Sequence, residues 1–73
     1  MARNEIRAEI TGTVMSVLVK LGDVVTEGEE LAFIEAMKME IPVTAPLSGT
    51  IIEIRIAENE AISENDLSFI IDG

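Results

Sequence analysis

The chemistry of this chain centres on one lysine that has a methionine on each side. Lys38 follows Met37 and precedes Met39, and Glu35 and Glu40 bracket these three residues. A lysine amine acts as a nucleophile when it is sterically accessible and transiently deprotonated. An exposed methionine is an adaptable contact for a protein partner. The pattern therefore marks Lys38 as a candidate functional residue with an adaptable partner contact on each side.

A functional role for Lys38 competes with simpler interpretations. The other lysine of the chain, Lys20, precedes a Gly22-Asp23 turn signal and is interpreted as an ordinary charge at a strand end. A plain strand, with both methionines pointing inwards and Lys38 outwards, is the structural alternative at the Met-Lys-Met segment. Lys38 lies between the two copies of an internal repeat, however, and this position favours a functional role.

The composition argues against a complete active site in these 73 residues. His and Cys are absent, which removes the usual general base and the strongest side-chain nucleophile. Fourteen acidic residues against five basic ones give a formal charge of −9, which argues against binding to nucleic acid or to an anionic membrane. We expect a single non-catalytic domain, 1–73. The charge is most simply a solvated surface, and docking onto a larger partner with a basic surface is the alternative.

The sequence gives no sign of export or membrane insertion. Residues 1–9 alternate charged and apolar types and contain no apolar run of signal-peptide length. No apolar stretch is long enough for a transmembrane helix. Because Cys is absent as well, a cytoplasmic location is expected.

The chain contains two copies of one unit. The first begins at Gly12 (GTVMSVLV) and the second at Gly49 (GTIIEIRI), an offset of 37 residues. Near the end of each copy the matching residues are offset by 36, so one residue of slack is predicted near Glu29 and Glu30. Two copies in one small domain predict a pseudo-twofold structure with a shared core. The aligned identities are Gly12/Gly49, Thr13/Thr50, Glu27/Glu64, Leu31/Leu67, Phe33/Phe69 and Ile34/Ile70.

Local patterning predicts strands. Apolar and charged residues alternate with a period of two over 5–10 and 52–56, and β-branched residues are abundant. The stretch 31–41 consists largely of good helix formers, but its repeat partner is strand-like and Pro42 forces extended geometry on the residue before it. We therefore expect an all-β fold of about eight short strands in two antiparallel layers. A tight bend near Met37 and Lys38 would then lack the usual Gly, Asn or Asp, and such local violations concentrate at functional sites.

The segment Glu35-Ala36-Met37-Lys38-Met39 resembles the attachment motif of biotinyl domains, the biotin carboxyl carrier family. The likeness extends over residues 10–71, with matching segments at 12–14, 20–25, 27–31, 45–46 and 49–51. The resemblance implies a flattened β-barrel, or barrel-sandwich hybrid, of two four-stranded antiparallel sheets. The lysine would lie on a protruding hairpin.

The chain departs from the family pattern at a few turns. Asn59-Glu60 stands where the family usually has Gly-Asp, and Asn65 stands where it has Gly. Asn is the commonest substitute for Gly at positive φ, so these turns are expected to survive.

The resemblance also implies a cofactor and several protein partners. Biotin would be attached covalently to Lys38 by a biotin protein ligase, with Met37 and Met39 as recognition contacts. The motif flank would be Glu35, Ala36 and Glu40. A biotin carboxylase and a carboxyltransferase would then use the carrier, in an acetyl-CoA carboxylase or related acyl-CoA carboxylase and hence in fatty acid biosynthesis.

Three alternatives stay open. Lipoyl carriers share the fold, but they typically have an acidic residue before the lysine and Ala after it, where this chain has Met37 and Met39. The chain could instead serve a transcarboxylase or a decarboxylase, since the acceptor is chosen by the partner. An unmodified interaction module would lack the attachment motif.

Overall fold

The computed structural model describes residues 2–73, which form eight β-strands. They are β1 (Arg3–Arg7), β2 (Gly12–Val17), β3 (Val24–Val25), β4 (Glu30–Ala36), β5 (Met39–Thr44), β6 (Gly49–Ile54), β7 (Ala61–Ile62) and β8 (Leu67–Asp72). Residues 2–73 contain no helix, so the predicted all-β class is confirmed over this range. It follows that nothing in this range could cross a membrane as a helix. The helix formers of 31–41 lie in β4, in β5 and in the two-residue turn between them, so the predicted absence of a helix in this stretch is confirmed.

The strands form two four-stranded sheets in which every pairing is antiparallel. Sheet I has the order β1-β8-β6-β3 and sheet II the order β5-β4-β2-β7. The first order becomes the second when the strand numbers of the first half are raised by four and those of the second half are lowered by four. The pseudo-twofold symmetry is therefore confirmed. Each half contributes strands to both sheets, so the two halves are interlocked.

The two halves correspond at a constant offset of 37 residues, and the slack predicted near Glu29 and Glu30 is wrong. In sheet II, Val14 pairs with Ile34. In sheet I, the residues 37 positions later, Ile51 and Ile71, pair in the same way. The identities Leu31/Leu67, Phe33/Phe69 and Ile34/Ile70 are therefore one residue out of register.

The two phenylalanines show why matching by identity failed. A shift of one residue along a strand moves its side chains to the opposite face of the sheet. Phe69 points into the core and is completely buried, and its structural equivalent is Ala32. Phe33 points outwards from sheet II and is only half-buried, and its equivalent is Ile70. The same residue type thus occupies opposite faces in the two copies.

The turns of one half are repeated in the other. The Gly22 amide donates to the Ile51 carbonyl at 2.8 Å, and the Asn59 amide donates to the Val14 carbonyl at 2.7 Å. Backbone φ is 70° at Asn59 and 75° at Asn65, a region in which Asn is enriched among non-glycine residues. The prediction that asparagine preserves these turns is confirmed.

A single apolar core lies between the sheets. Ser68 is the buried polar side chain among residues 2–73, and its Oγ has no hydrogen-bond partner within that range. It stands at the position equivalent to Leu31. Both halves supply the completely buried apolar side chains of this core, which are Val14, Val25, Leu31, Ala32, Ile34, Ile51, Phe69 and Ile71.

β2 and β4 approach each other closely at Gly12, beside the hairpin that carries Lys38. A Cβ atom on Gly12 would overlap the carbonyl oxygen of Glu35 and would lie 3.2 Å from the Cβ of Ala36. Gly49 is confined in the same way by the carbonyl of Asp72. These close approaches allow only glycine without a shift of the backbone.

We expect Gly12→Ala and Gly49→Ala each to lower the free energy of unfolding by roughly 2–3 kcal/mol, because the backbone must move to admit a methyl group. Urea unfolding followed by far-ultraviolet circular dichroism measures this. Thr13→Ala, at the exposed neighbour of Gly12, is the control and should lose less than about 1 kcal/mol. A Gly12→Ala variant as stable as the parent would show that this approach is not a constraint.

Candidate functional site

β4 and β5 form a hairpin whose connection is the segment Met37-Lys38. Ala36 pairs with Met39, so two residues remain for the turn. Backbone φ is 54° at Met37 and 64° at Lys38. Positive φ at both central residues is the requirement of a type I′ turn, which usually selects Asn-Gly or Gly-Gly. The predicted bend is confirmed, and it occurs without the usual turn residues.

The Met37-Lys38 turn is strained. The left-handed region disfavours an L-residue with a Cβ by about 1–2 kcal/mol, so two such residues store about 2–4 kcal/mol. The flanking ladder holds them there, because Ile34 and Ile41 pair within it on the core side. Backbone strain of this kind persists where the surrounding structure overrides it, and it clusters at functional sites.

The side chains at the turn point into solvent. Met37 is 87% exposed and Met39 is 63% exposed. The alternative of a plain strand with both methionines inwards is therefore wrong. Lys38 is exposed too, and no ion pair within residues 2–73 involves its ammonium group. The turn thus presents a primary amine between two apolar, flexible side chains.

Lys20 provides a comparison. Its side chain is exposed as well, but it precedes a turn that is closed by a glycine, and its backbone amide is held by the Asp23 carboxylate at 2.9 Å. No methionine adjoins it. Exposure alone therefore does not distinguish the two lysines, whereas the strained hairpin and the flanking methionines do.

The residues that flank the motif fall into two groups, exposed acidic residues and one buried alanine. Glu35 and Glu40 are directly opposite each other across β4 and β5, and both are exposed. Like charges in this arrangement are destabilising and leave a local negative potential beside the lysine. Ala36 is 5% exposed and lies above Gly12. The sequence placed Ala36 in the motif but did not reveal that Gly12 supports it.

The turn lies at one end of an elongated molecule. The principal extents are 36 × 17 × 17 Å. The pseudo-twofold relates the Lys38 turn to the opposite end, where the Gly73 amide donates to the Ala2 carbonyl at 3.0 Å. The turn and the pair formed by Ala2 and Gly73 therefore occupy equivalent places in the two halves.

The exposed amine of Lys38 can accept a covalent group. The chain contains no His or Cys, and the nearest titratable side chains, Glu35 and Glu40, are exposed to water. Nothing within residues 2–73 encloses the amine or excludes solvent from it.

Known proteins resemble this chain over nearly its whole length. A family model described as biotin-requiring enzyme matches residues 2–71. The chain is 37% identical over 67 residues to the biotinylated protein TB7.3 homolog of Mycobacterium leprae, covering 92% of this chain and 94% of that protein. It is 37% identical over 65 residues to the biotin carboxyl carrier protein of Streptococcus mutans serotype c, covering 89% of this chain and 50% of that protein.

A solved structure shows the same architecture. The urea carboxylase of Kluyveromyces lactis matches with a TM-score of 0.91 and 29% identity, covering 99% of this chain but only 6% of that one. The likeness thus concerns one small part of a large enzyme, and it confirms the predicted barrel-sandwich fold. Because the family model spans nearly all described residues, this chain belongs to the biotin-requiring family of attachment domains, and biotin is the cofactor that its Met37-Lys38-Met39 motif indicated.

Proposed function

We propose that this chain is a biotin carrier in which Lys38 is the attachment residue. The observation that carries the proposal is the turn itself: a strained two-residue connection that presents an exposed amine between Met37 and Met39. The amine is accessible and takes part in no ion pair within residues 2–73, so it fits a covalent amide. The family membership supplies the cofactor.

Attachment requires a biotin protein ligase and ATP. The Lys38 amine attacks the ATP-activated carboxyl carbon of biotin, the C–N bond of an amide forms, the activating group leaves, and the amine loses a proton. Met37 and Met39 are the contacts by which the ligase recognises the hairpin. The strained turn holds Met37, Lys38 and Met39 outwards together, whereas a regular strand would turn the lysine to the face opposite the two methionines.

The chain serves as a carrier rather than as an enzyme. Bound biotin supplies a site that accepts a carboxyl group from a biotin carboxylase and yields it to a carboxyltransferase. Once amidated, the Lys38 side chain is a neutral tether with a reach on the order of 10–15 Å. The domain therefore contributes effective concentration, keeping the reactive group close to both partner sites.

The acceptor is chosen by the partners. We favour an acetyl-CoA or related acyl-CoA carboxylase, hence a role in fatty acid biosynthesis, with a transcarboxylase or decarboxylase as the alternative. The cytoplasmic location and the single domain 1–73 remain predictions that accompany this proposal. So does the absence of nucleic-acid and membrane partners, which rests on the charge of −9.

Lys38→Arg should abolish biotinylation while the fold persists, because Arg keeps the charge but is not an amine nucleophile. The measurement is the intact mass, with peptide mapping, of protein co-expressed with a biotin ligase. Lys20→Arg is the matched control and should gain one biotinyl group like the parent. Biotin on Lys38→Arg would place the site elsewhere. A parent chain that takes up no biotin but is modified by a lipoate ligase would support the lipoyl alternative.

Met37→Asn should make the protein more stable but a poorer substrate. Asn tolerates the left-handed region, so the free energy of unfolding should rise by about 1 kcal/mol. The ligase loses an apolar contact, and kcat/KM for biotinylation should fall about tenfold. Asn65→Gly, which changes a left-handed residue in another turn, is the control and should leave kcat/KM unchanged. Equal kcat/KM for Met37→Asn and the parent would remove Met37 from the recognition contacts.

A further inference from the structure

The pseudo-twofold offers an internal comparison between the outer faces of the two sheets. Ile70 on β8 and Phe33 on β4 are equivalent residues that both point away from the core. Ile70 is only 2% exposed although it does not belong to the core cluster, whereas Phe33 is half-buried. The outer face of sheet I therefore shields Ile70 from solvent, whereas the outer face of sheet II leaves Phe33 partly exposed.

Ion-paired side chains flank Ile70 on sheet I. Glu5 on β1 lies directly opposite Ile70, and Glu53 on β6 pairs with it from the other side. Arginine stems cover apolar surface while their charged heads remain in water. The ion pairs of this face join Arg3 to Glu53 at 3.8 Å, Arg7 to Glu5 at 2.8 Å, and Arg55 to Glu53. All three arginines of the chain are used here.

Sheet II lacks this cover. Phe33 lies opposite Pro42 on β5, which is exposed. On its other side, β2 has a bulge between Val14 and Ser16, and the extra residue, Met15, is 40% exposed. The positions equivalent to the three arginines hold Glu40, Thr44 and Leu18. The outer face of sheet II therefore has an uncovered apolar centre.

Acidic residues border this centre on the side of the turn. Glu35 and Glu40 have no ion-pair partner within residues 2–73, in contrast to Glu5 and Glu53 of sheet I. We call the outer surface of β5, β4 and β2 the open face: Met15, Phe33 and Pro42 at its centre, with Glu35 and Glu40 at its edge. It runs without interruption into the Lys38 turn.

We propose that the open face is the surface on which the biotin protein ligase rests when it modifies Lys38. This rests on the proposed function and names a surface beyond the turn. The complementary surface would carry an apolar side chain over Phe33, flanked by Arg or Lys residues that pair with Glu35 and Glu40.

The size of the turn favours an extended contact. A standard protein interface takes about 20–30 residues from each side, and the turn with its flanks offers only a few. The lysine side chain is short, on the order of 6 Å, so the enzyme must come close to the hairpin. The inner surface of the hairpin is the core. Contact with the enzyme can therefore continue from the turn only along the outer surface of the hairpin. This surface begins at Glu35 and Glu40.

The experiment compares two bulge residues that the twofold makes equivalent. Met15 and Ile52 are each 40% exposed, on sheet II and sheet I respectively. With a purified biotin protein ligase, ATP and biotin, Met15→Asp should raise the KM for the carrier about tenfold with little change in kcat. Ile52→Asp should keep the parent values. Thermal unfolding by circular dichroism verifies that both variants are folded.

A second variant closes the open face instead of disrupting it. Pro42→Glu combined with Thr44→Arg places over Phe33 the residues that sheet I has at Glu5 and Arg7. The double variant should raise the KM for the carrier to a similar extent without loss of thermal stability. The KM of the parent should also rise with salt, and Glu35→Gln with Glu40→Gln should reduce that dependence.

The outcomes are separable. Parent-like KM values for Met15→Asp and for the double variant would overturn the open face as a ligase surface. So would a homodimer, detected by sedimentation, that Met15→Asp but not Ile52→Asp dissociates, since a second copy would then be the occupant. Failure of the parent chain itself to accept biotin would overturn the proposed function, and the inference with it.

Discussion

The functional end of the molecule depends on one local constraint, the positive φ of two adjacent L-residues at the Met37-Lys38 turn. The strain of about 2–4 kcal/mol is a large fraction of the 5–15 kcal/mol that holds a typical domain folded. The turn persists because β4 and β5 are paired on both sides of it and because Ile34 is fixed in the core. As a consequence, the side chains of the two methionines and the lysine all point into solvent.

The interlocked halves allow so small a chain to bear this strain. No disulfide is possible, and a domain of this size buries a modest share of its surface. Each sheet takes strands from both halves, and the strands of one half form hydrogen bonds with turns of the other. The Val14 amide on β2, for example, donates to the Glu60 carbonyl at 2.9 Å. Neither half can therefore unfold without exposing the core of the other, and Gly12 and Gly49 allow the close approach that makes this possible.

Much of the fold and of the attachment site follows from sequence, because both leave local signals. Period-two alternation predicts the strands, the repeat predicts the twofold, and the Met-Lys pair without turn residues marks the site. Which residues of β8 and β4 are equivalent does not follow in this way. Phe33 and Phe69 match by identity, yet which face a side chain occupies depends on partner strands that only the three-dimensional structure supplies. The bulge at Met15 is invisible for the same reason.

Departures from the twofold have different meanings in the core and on the surface. In the core, Leu31 and Ala32 are replaced in the second copy by Ser68 and Phe69, so a loss of volume at one position accompanies a gain at the next. Packing density requires such compensation. On the surface no such requirement exists, and the ion pairs that flank Ile70 have no counterpart around Phe33. Since the two sheets share one backbone geometry, the fold itself does not explain this difference. The pseudo-twofold gives the two sheets equivalent outer faces, so recognition of one face depends on side chains whose symmetry is broken without being required by packing.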